Sequence, residues 1–433
     1  MNKTKLSSKF WIALTIFSLV GQVAWVVENM YFNVFMYKMF HASAEQISMM
    51  VSASAISATV TTILIGALSD KIGKRKLFIC SGYILWGISI WSFSLIRMDI
   101  IDKLFPMAIS AASVGVSLVI IMDCVMTFFG SAANDACFNA WLTDVTDDTN
   151  RGAAEGINSM MPLVAILVVF GGFMGFDLNQ AESWTLIYQI IGVVVFLLGI
   201  LAIFLIQDVP VDTSLNQNYF GNIFYGFRPS VIKTNKLFYI ILAAYATFCI
   251  SIQIFMPYLI LYYNVSLRMD NYVLIMAPAV IIAAIITAFY GRVYDRLHFK
   301  IAIMPAVGIL MLGYVLLYFF QSTALVFIGS LFMMSGYLMG MAVFGAMLRD
   351  YTPKNRSGMF QGLRIVGQVL VPGIIGPAIG AAVLKNADTV LNDDGTYSFI
   401  PNQNIFLAAF VAACVIWLIL AVIFNLTKKA KVD

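Results

Sequence analysis

Long apolar runs alternate with short polar breaks along this chain, and the runs share one length. Windows of about 20 apolar residues, the number a helix needs to cross a bilayer, fall at 10–36, 46–68, 77–97, 108–141, 156–176, 185–206, 238–263, 272–290, 301–320, 324–347, 358–384 and 403–426. The pattern predicts an all-α membrane protein of twelve transmembrane helices. The first run is too long for a cleaved signal peptide and leads directly into a hairpin with the second. The longest polar insertion, 207–237, divides the runs into an N-terminal six-helix bundle (1–206) and a C-terminal one (238–433). Its aromatic stretch from Tyr219 to Phe227, followed by Arg228, Lys233 and Lys236, predicts a short segment lying on the membrane face.

The polar breaks repeat. Gly66-Ala-Leu-Ser-Asp70-Lys-Ile-Gly-Lys74-Arg75-Lys76 returns, eroded, as Gly291-Arg-Val-Tyr-Asp295-Arg296-Leu-His-Phe-Lys300. Asp144-Val-Thr146-Asp-Asp-Thr-Asn150-Arg151-Gly152 is matched by Asp350-Tyr-Thr352-Pro-Lys-Asn355-Arg356-Ser-Gly358. Halves that carry the same loops in the same order point to duplication and to two pseudo-symmetric bundles. Membrane proteins built this way are mostly transporters that rock one half against the other.

Charge sets the orientation. Of 26 Lys and Arg, twenty lie on the side of the termini and of Lys71–Lys76, five (Lys38, Arg97, Lys103, Arg268, Lys385) lie on the other, and Arg364 is inside a run. This bias predicts both termini in the cytoplasm and accounts for the net charge of +4 without any affinity for nucleic acid. At 61% apolar, 11% charged and a mean hydropathy of +0.90, the composition leaves little room for a soluble fold, where charged residues make up about 25%. The five cysteines fall within or at the ends of apolar runs, spaced for neither a metal site nor a disulfide frame, and read as packing residues. No phosphate loop or HExxH motif occurs, and both histidines, His41 and His298, sit in predicted loops. Neither an enzyme nor an ATP-driven pump is expected, and no cofactor or metal.

The charged turns admit two readings. In one, their cations simply hold the loops in the cytoplasm. In the other they form a gate, with Asp70, Arg75, Arg151, Asp295, Arg296 and Arg356 latching one side shut in one state. The sequence Gly-x-Leu-x-Asp-Lys-x-Gly-Lys-Arg-Lys after the second run, its repeat after the eighth and the paired Asp-x-Thr…Arg turns resemble the major facilitator superfamily over the whole chain. Within it, Asp135-Ala-Cys-Phe138 and Gly226-Phe-Arg-Pro-Ser-Val-Ile-Lys-Thr-Asn235-Lys resemble the glycoside–pentoside–hexuronide:cation symporters, the melibiose-type permeases. That resemblance implies a sugar or glycoside as solute and a coupling cation. Melibiose-type members carry acids in spans 1, 2 and 4 around a sodium site. Here the second run carries no acid but a set of Ser and Thr (Ser48 to Thr62), so a proton is expected before sodium.

Ionisable groups at membrane depth cost at least ~2.5 kcal/mol on insertion scales and call for a function. Counting back from Asp144 at ~1.5 Å per residue puts Asp135 about 13 Å deep, near the midplane, and Asp123 about 31 Å away, at the outer surface in contact with water. Ser131, Asp135 and Asn139 share one helical face, with Asn134 and Trp141 on another. In the first run Gln22, Trp25, Asn29 and Asn33 form a stripe suited to a polyol, since amides donate and accept; interhelical packing is the plainer reading. Glu28 lies off that stripe. It is a coupling carboxyl or a structural acid, and Asp135 is the other coupling candidate. In the second half Gln253 and Tyr258 mark span 7, and Gln361, Arg364 and Gln368 share a face of span 11. Arg364 either snorkels to the surface or faces the cavity, where it binds solute or pairs with Asp135.

The expectation is thus a secondary transporter that moves a sugar or glycoside by cation-coupled alternating access. It works as a monomer in the lipid bilayer, and the resemblance implies a bacterial cytoplasmic membrane. Two rivals stand beside it. An exporter of drugs or amphiphiles would use the 24 Met and 34 Phe as a wide apolar lining, and a sensor or scaffold would keep the fold and move nothing.

Overall fold

Serine side chains open three of the long helices. Ser7 Oγ accepts from the Phe10 amide at 3.2 Å and Ser110 Oγ from that of Ser113 at 3.3 Å. Ser43 and Gln46 form a reciprocal box, with the Gln46 side chain accepting from the Ser43 amide at 2.9 Å. Each supplies an acceptor to amides that a helix start leaves open. Two ends are equally specific: His41 (φ 52°) and Gly73 (φ 71°) adopt the left-handed conformation that stops a helix.

The computed structural model describes residues 6–107, 110–147, 150–208, 225–269, 271–352, 362–392 and 395–429. Among them twelve helices are long and apolar enough to cross a membrane. Spans 1 to 6 are Ser8–Phe40, Ala44–Ile72, Arg75–Leu95, Ala111–Val145, Gly156–Phe173 and Ala181–Leu205; spans 7 to 12 are Lys236–Ser266, Val273–Tyr290, Ile301–Phe319, Thr323–Leu348, Gly362–Leu384 and Asn404–Leu426. No end lies more than four residues from the run read in the sequence. The chain forms two compact units, Met1–Gln46 with Ala53–Phe220, and Ile47–Ser52 with Gly221–Asp433.

In the first unit spans 3 and 6 approach backbone to backbone. A Cβ on Gly192 would stand 2.6 Å from the Trp91 amide nitrogen, and one on Gly87 2.3 Å from that of Phe196. Only residues without side chains allow this, and in lipid such close packing is a main source of helix–helix attraction. Toward one end of the unit Phe32, Phe35, Phe93, Trp184 and Tyr188 pack with ring centroids 4.7 to 5.4 Å apart. Beside them Arg97 donates to Asp99 at 2.9 Å and Glu182 at 3.3 Å, and this bond holds the Asp99 carboxyl below the usual carboxylate range.

The second unit corrects one expectation. Residues 291–300 read as an open charged turn, yet the backbone stays helical from Val273 to Phe319. It still reverses: Tyr290 Oη donates to the Ala302 carbonyl at 2.6 Å, whereas twelve residues of straight helix would separate them by about 18 Å. Span 7 is held by its tyrosines. Tyr258 donates to the Pro377 carbonyl at 3.3 Å, and the Tyr263 and Ser330 hydroxyls lie 2.6 Å apart. Between spans 11 and 12 a short antiparallel pair, β1 (Thr389–Leu391) and β2 (Tyr397–Phe399), sets Val390 opposite Ser398.

Among the described residues four spans widen locally to π-helix: span 1 over Val27–Tyr31, span 4 over Ser131–Phe138, span 7 over Tyr262–Ser266 and span 11 over Val366–Leu370. Such bulges recur at functional sites, and these four lie beside the polar residues of the spans that carry them.

The close approach of spans 3 and 6 predicts that Gly192→Leu overpacks the interface and costs about 1–3 kcal/mol or more. Gly171→Ala, which meets nothing within 4 Å, should be silent. Thermal unfolding in detergent, followed by tryptophan fluorescence, reads both.

Candidate functional site

Span 1 places Glu28 inside its π segment, and spans 2 and 4 bring hydroxyls to it. Glu28 Oε1 accepts from Ser54 Oγ at 2.6 Å and from Thr127 Oγ1 at 2.9 Å. The two hydroxyls are themselves 2.9 Å apart. One turn along, Ser57 Oγ donates to the Cys124 carbonyl at 2.9 Å, so the hydroxyl-rich face of span 2 is what joins it to span 4. Glu28 is 6% exposed and Asp123 is 1% exposed. Glu28 Oε2 and both Asp123 carboxyl oxygens have no hydrogen-bond partner among the described residues.

Asp123 is therefore a correction to the expected contact with water at the outer surface. Span 4 begins at Ala111 and runs 35 residues, longer than the bilayer needs. Asp123 lies about 18 Å inside its start, covered by neighbouring spans.

Asp135 occupies a different face of span 4. Ser131 Oγ donates to Asp135 Oδ2 at 3.0 Å, and Asn139 Nδ2 to the Asp135 carbonyl at 3.3 Å, so the predicted stripe is a hydrogen-bonded column. Asn134 lies beside the Asp135 carboxyl and accepts from Tyr83 Oη at 2.9 Å. A Cβ on Gly21 would meet the Asn134 amide oxygen at 2.7 Å, which fixes a glycine where span 1 crosses. Trp141 Nε1 donates to the Gln207 carbonyl at 2.9 Å and anchors the start of the linker.

The span 1 stripe divides by role. Asn29 and Asn33 donate their amides back one turn, to the Trp25 carbonyl at 2.7 Å and the Asn29 carbonyl at 3.0 Å. They thereby support backbone beside the π segment. Asn33 is fully buried, Asn29 is exposed, and Gln22 is half-buried. The Trp25 ring lies 5.3 Å from that of Trp86, and its Nε1 is buried without a partner among the described residues.

In the second unit Arg364 Nε donates to Gln368 Oε1 at 2.7 Å, and the Gln368 amide donates to Tyr245 Oη. The Tyr245 ring stacks on Phe344 at 5.4 Å. Arg364 is thus half-buried and held by its own helix and span 7. Gln253 is half-buried where span 11 passes at Gly376. Tyr258 is fully buried, with its hydroxyl committed to Pro377. Gln361 lies outside the described residues.

At the lysine-rich end one guanidinium gathers three spans. Arg75, 5% exposed, pairs with Asp70 at the end of span 2 and donates from Nε to Asp144 Oδ2, near the end of span 4, at 3.1 Å. A third N–H reaches Ser69 Oγ. A planar fork suits this task, and a lysine could not fill all three positions. Of the other expected gate residues, Arg151, Asp295 and Arg296 have helical backbone with side chains outside the description, and Arg356 lies outside the described residues altogether.

This architecture has known relatives. Residues 10–345 match the family model described as Major Facilitator Superfamily. The chain belongs to this superfamily. Solved structures share the major facilitator fold: a mutant of the nucleoside transporter NupG (13% identity, TM-score 0.73, covering 95% of this chain and 99% of that one), a bacterial homolog of the human lysosomal transporter Spinster (16%, 0.67, 98% and 98%), and the xylose transporter XylE from E. coli (13%, 0.67, 94% and 98%). No curated protein matches the chain. It is an integral membrane transporter of the major facilitator type, not an enzyme.

Several of the site's residues escape a reading of the sequence. Ser54 and Ser57 at i, i+3, and Asp123 and Thr127 at i, i+4, were the available signal, since each pair shares a helix face. Tyr245, a lone aromatic in an apolar run, carries none. Met30-Tyr31-Phe32-Asn33-Val34 and Leu261-Tyr262-Tyr263-Asn264-Val265 form a further repeat, and a π segment ends or begins at the matched tyrosines.

Arg75→Ala leaves Asp70 and Asp144 facing each other without their cation. Breaking a buried pair costs about 3–5 kcal/mol, reduced here because the two carboxylates are about a quarter exposed and water screens them. Arg75→Ala is expected to lower the unfolding temperature more than Asp70→Asn or Asp144→Asn, and Arg75→Lys to recover only part of the loss.

Proposed function

We propose that this transporter carries a small hydroxylated solute, a sugar or glycoside, by alternating access coupled to a cation, with a proton favoured over sodium. The observation that carries the reading is the presence of carboxyl groups deep in apolar spans, with hydroxyls donating to them and no phosphate-binding loop to supply energy instead. A buried carboxyl changes its interaction with the surrounding protein when it takes up a cation, and that is what a gradient-driven cycle requires.

In this cycle Glu28 and Asp135 are the coupling candidates. Ser131, Asp135 and Asn139 in span 4, exposed Asn29 with Gln22 and Trp25 in span 1, Gln253 in span 7 and Arg364 in span 11 offer donors and acceptors to hydroxyls. The pairing of Arg75 with Asp70 and Asp144 holds the lysine-rich ends of spans 2, 3 and 4 together, as one side of a gate that closes in turn with its counterpart. The resemblance to the melibiose-type group supports a glycoside, and the nucleoside and xylose–proton transporters among the fold relatives carry hydroxylated solutes by their names. The lysine bias supports termini in the cytoplasm, in a bacterial inner membrane, with the monomer as the working unit.

The test is proton movement on adding glycosides, pentoses or uronic acids to right-side-out vesicles, with wild type beside Asp135→Asn. One sugar should alkalinise the medium, and the variant should abolish the signal. Silence for every sugar with either ion, together with competition by apolar amphiphiles, would favour an exporter instead.

A further inference from the structure

Two carboxyls in the first unit have no cationic side chain acting on them among the described residues. Glu28 in span 1 and Asp123 in span 4 are both more than nine-tenths buried; Thr127, one turn from Asp123 on span 4, donates to Glu28, and Glu28 acts electrostatically on Asp123. Ser54 stands beside both but gives its proton to Glu28. The described groups around them are Ser54 from span 2, Thr127 and Cys124 from span 4, Asp135, which acts on Glu28, and Tyr188 from span 6, on which Asp123 acts. None is a lysine, arginine or histidine.

Tyr188 is an independent sign that the pocket is built for a guest. It is fully exclusive of solvent at 0% exposure, lies within electrostatic reach of Asp123, and its hydroxyl has no hydrogen-bond partner among the described residues. Three hydroxyls and four carboxyl oxygens therefore gather in an apolar bundle, and three of those oxygens are unpartnered.

Two like charges cannot both persist in such surroundings, since an isolated buried carboxylate already costs many kcal/mol and a second one beside it adds repulsion. We propose that Glu28 and Asp123 hold one exchangeable proton between them, in a site distinct from the Asp135 column. The proton bridges or alternates between the two acids, and the Ser54, Thr127 and Tyr188 hydroxyls support the negative charge that remains. Among the described residues no three metal-type side chains cluster. The role of this proton in coupling rests on the transport reading above; the existence of the site does not.

The experiment needs no solute. The purified full-length protein is titrated from acid to alkaline pH in choline chloride, and infrared difference spectroscopy reads the C=O stretch of protonated carboxyls. Two groups that share a proton titrate as a pair, their affinities coupled by more than about tenfold. Glu28→Gln should therefore move the remaining transition by at least about tenfold in proton affinity, and Asp123→Asn should do the same. If each variant deletes one transition and leaves the other in place, the proposal is overturned.

A wild-type arm guards against variants that do not fold. The chain has four glutamates, so carbon-13 glutamate should shift the frequency of the titrating band; an unshifted band would remove Glu28 from the site. Replacing choline with sodium should leave the transition unchanged, and displacement of the proton by sodium would overturn its assignment as the resident cation. Loss of the sugar-transport reading would leave all of these titrations as predicted, so the two failures are distinguishable.

Discussion

Within hydrocarbon every polar group must find its partner inside the protein, and the rest of this structure follows from that rule. Water is not there to complete a hydrogen bond, so each hydroxyl, amide or carboxyl in a span either binds a neighbour or remains as a strained exception. Most of this chain's groups comply. Ser57 binds the Cys124 carbonyl, Tyr83 binds Asn134, and Tyr258 binds the Pro377 carbonyl. These bonds also decide which helices are neighbours, because a polar side chain can be buried only where its partner is. Exceptions remain at scattered side chains, Trp86, Ser94, Tyr262 and Ser335 among them, and those at Glu28, Asp123 and Tyr188 act on one another electrostatically.

A second requirement works alongside the first. Helices in lipid gain little from hiding apolar surface from each other, so contact depends on how closely they pack. Spans 3 and 6 meet through Gly87 and Gly192 at distances that exclude any side chain, and the aromatic block around Tyr188 fills the space beside them. The same span 6 that is locked against span 3 thus delivers the Tyr188 hydroxyl toward Asp123. A rigid wall and a polar pocket share one helix, so the pocket's shape is inherited from the glycine contact. Arg75 does comparable work at the lysine-rich end, where one guanidinium fixes spans 2, 3 and 4.

Much of this was legible in the sequence, for a physical reason. Bilayer thickness imposes one length on every apolar run, so all twelve spans could be read, and the repeated charged loops pointed to the superfamily. The face shared by Ser131, Asp135 and Asn139 was also readable, because helical periodicity survives inside a span. Three things were not. Asp123 was placed by counting along an ideal helix, but burial depends on what the neighbouring spans cover, and counting cannot supply that. The turn at 291–300 carries the composition of a loop, yet its backbone keeps helical hydrogen bonds through a reversal that Tyr290 makes visible. The hydroxyls of span 2 gave no hint of which would face an acid, since serine and threonine also bond to their own helix, as Thr62 does with the Ala58 carbonyl.

In the proposed cycle a carboxyl cluster in the first unit links solute movement to an ion gradient. Reconstituted proteoliposomes test it most directly, by comparing exchange with accumulation of the same radiolabelled sugar in wild type and Glu28→Gln. Exchange requires only solute binding and the conformational cycle; uphill accumulation requires the ion as well. Glu28→Gln should keep exchange and lose accumulation under an imposed proton gradient. Full accumulation by Glu28→Gln would contradict it.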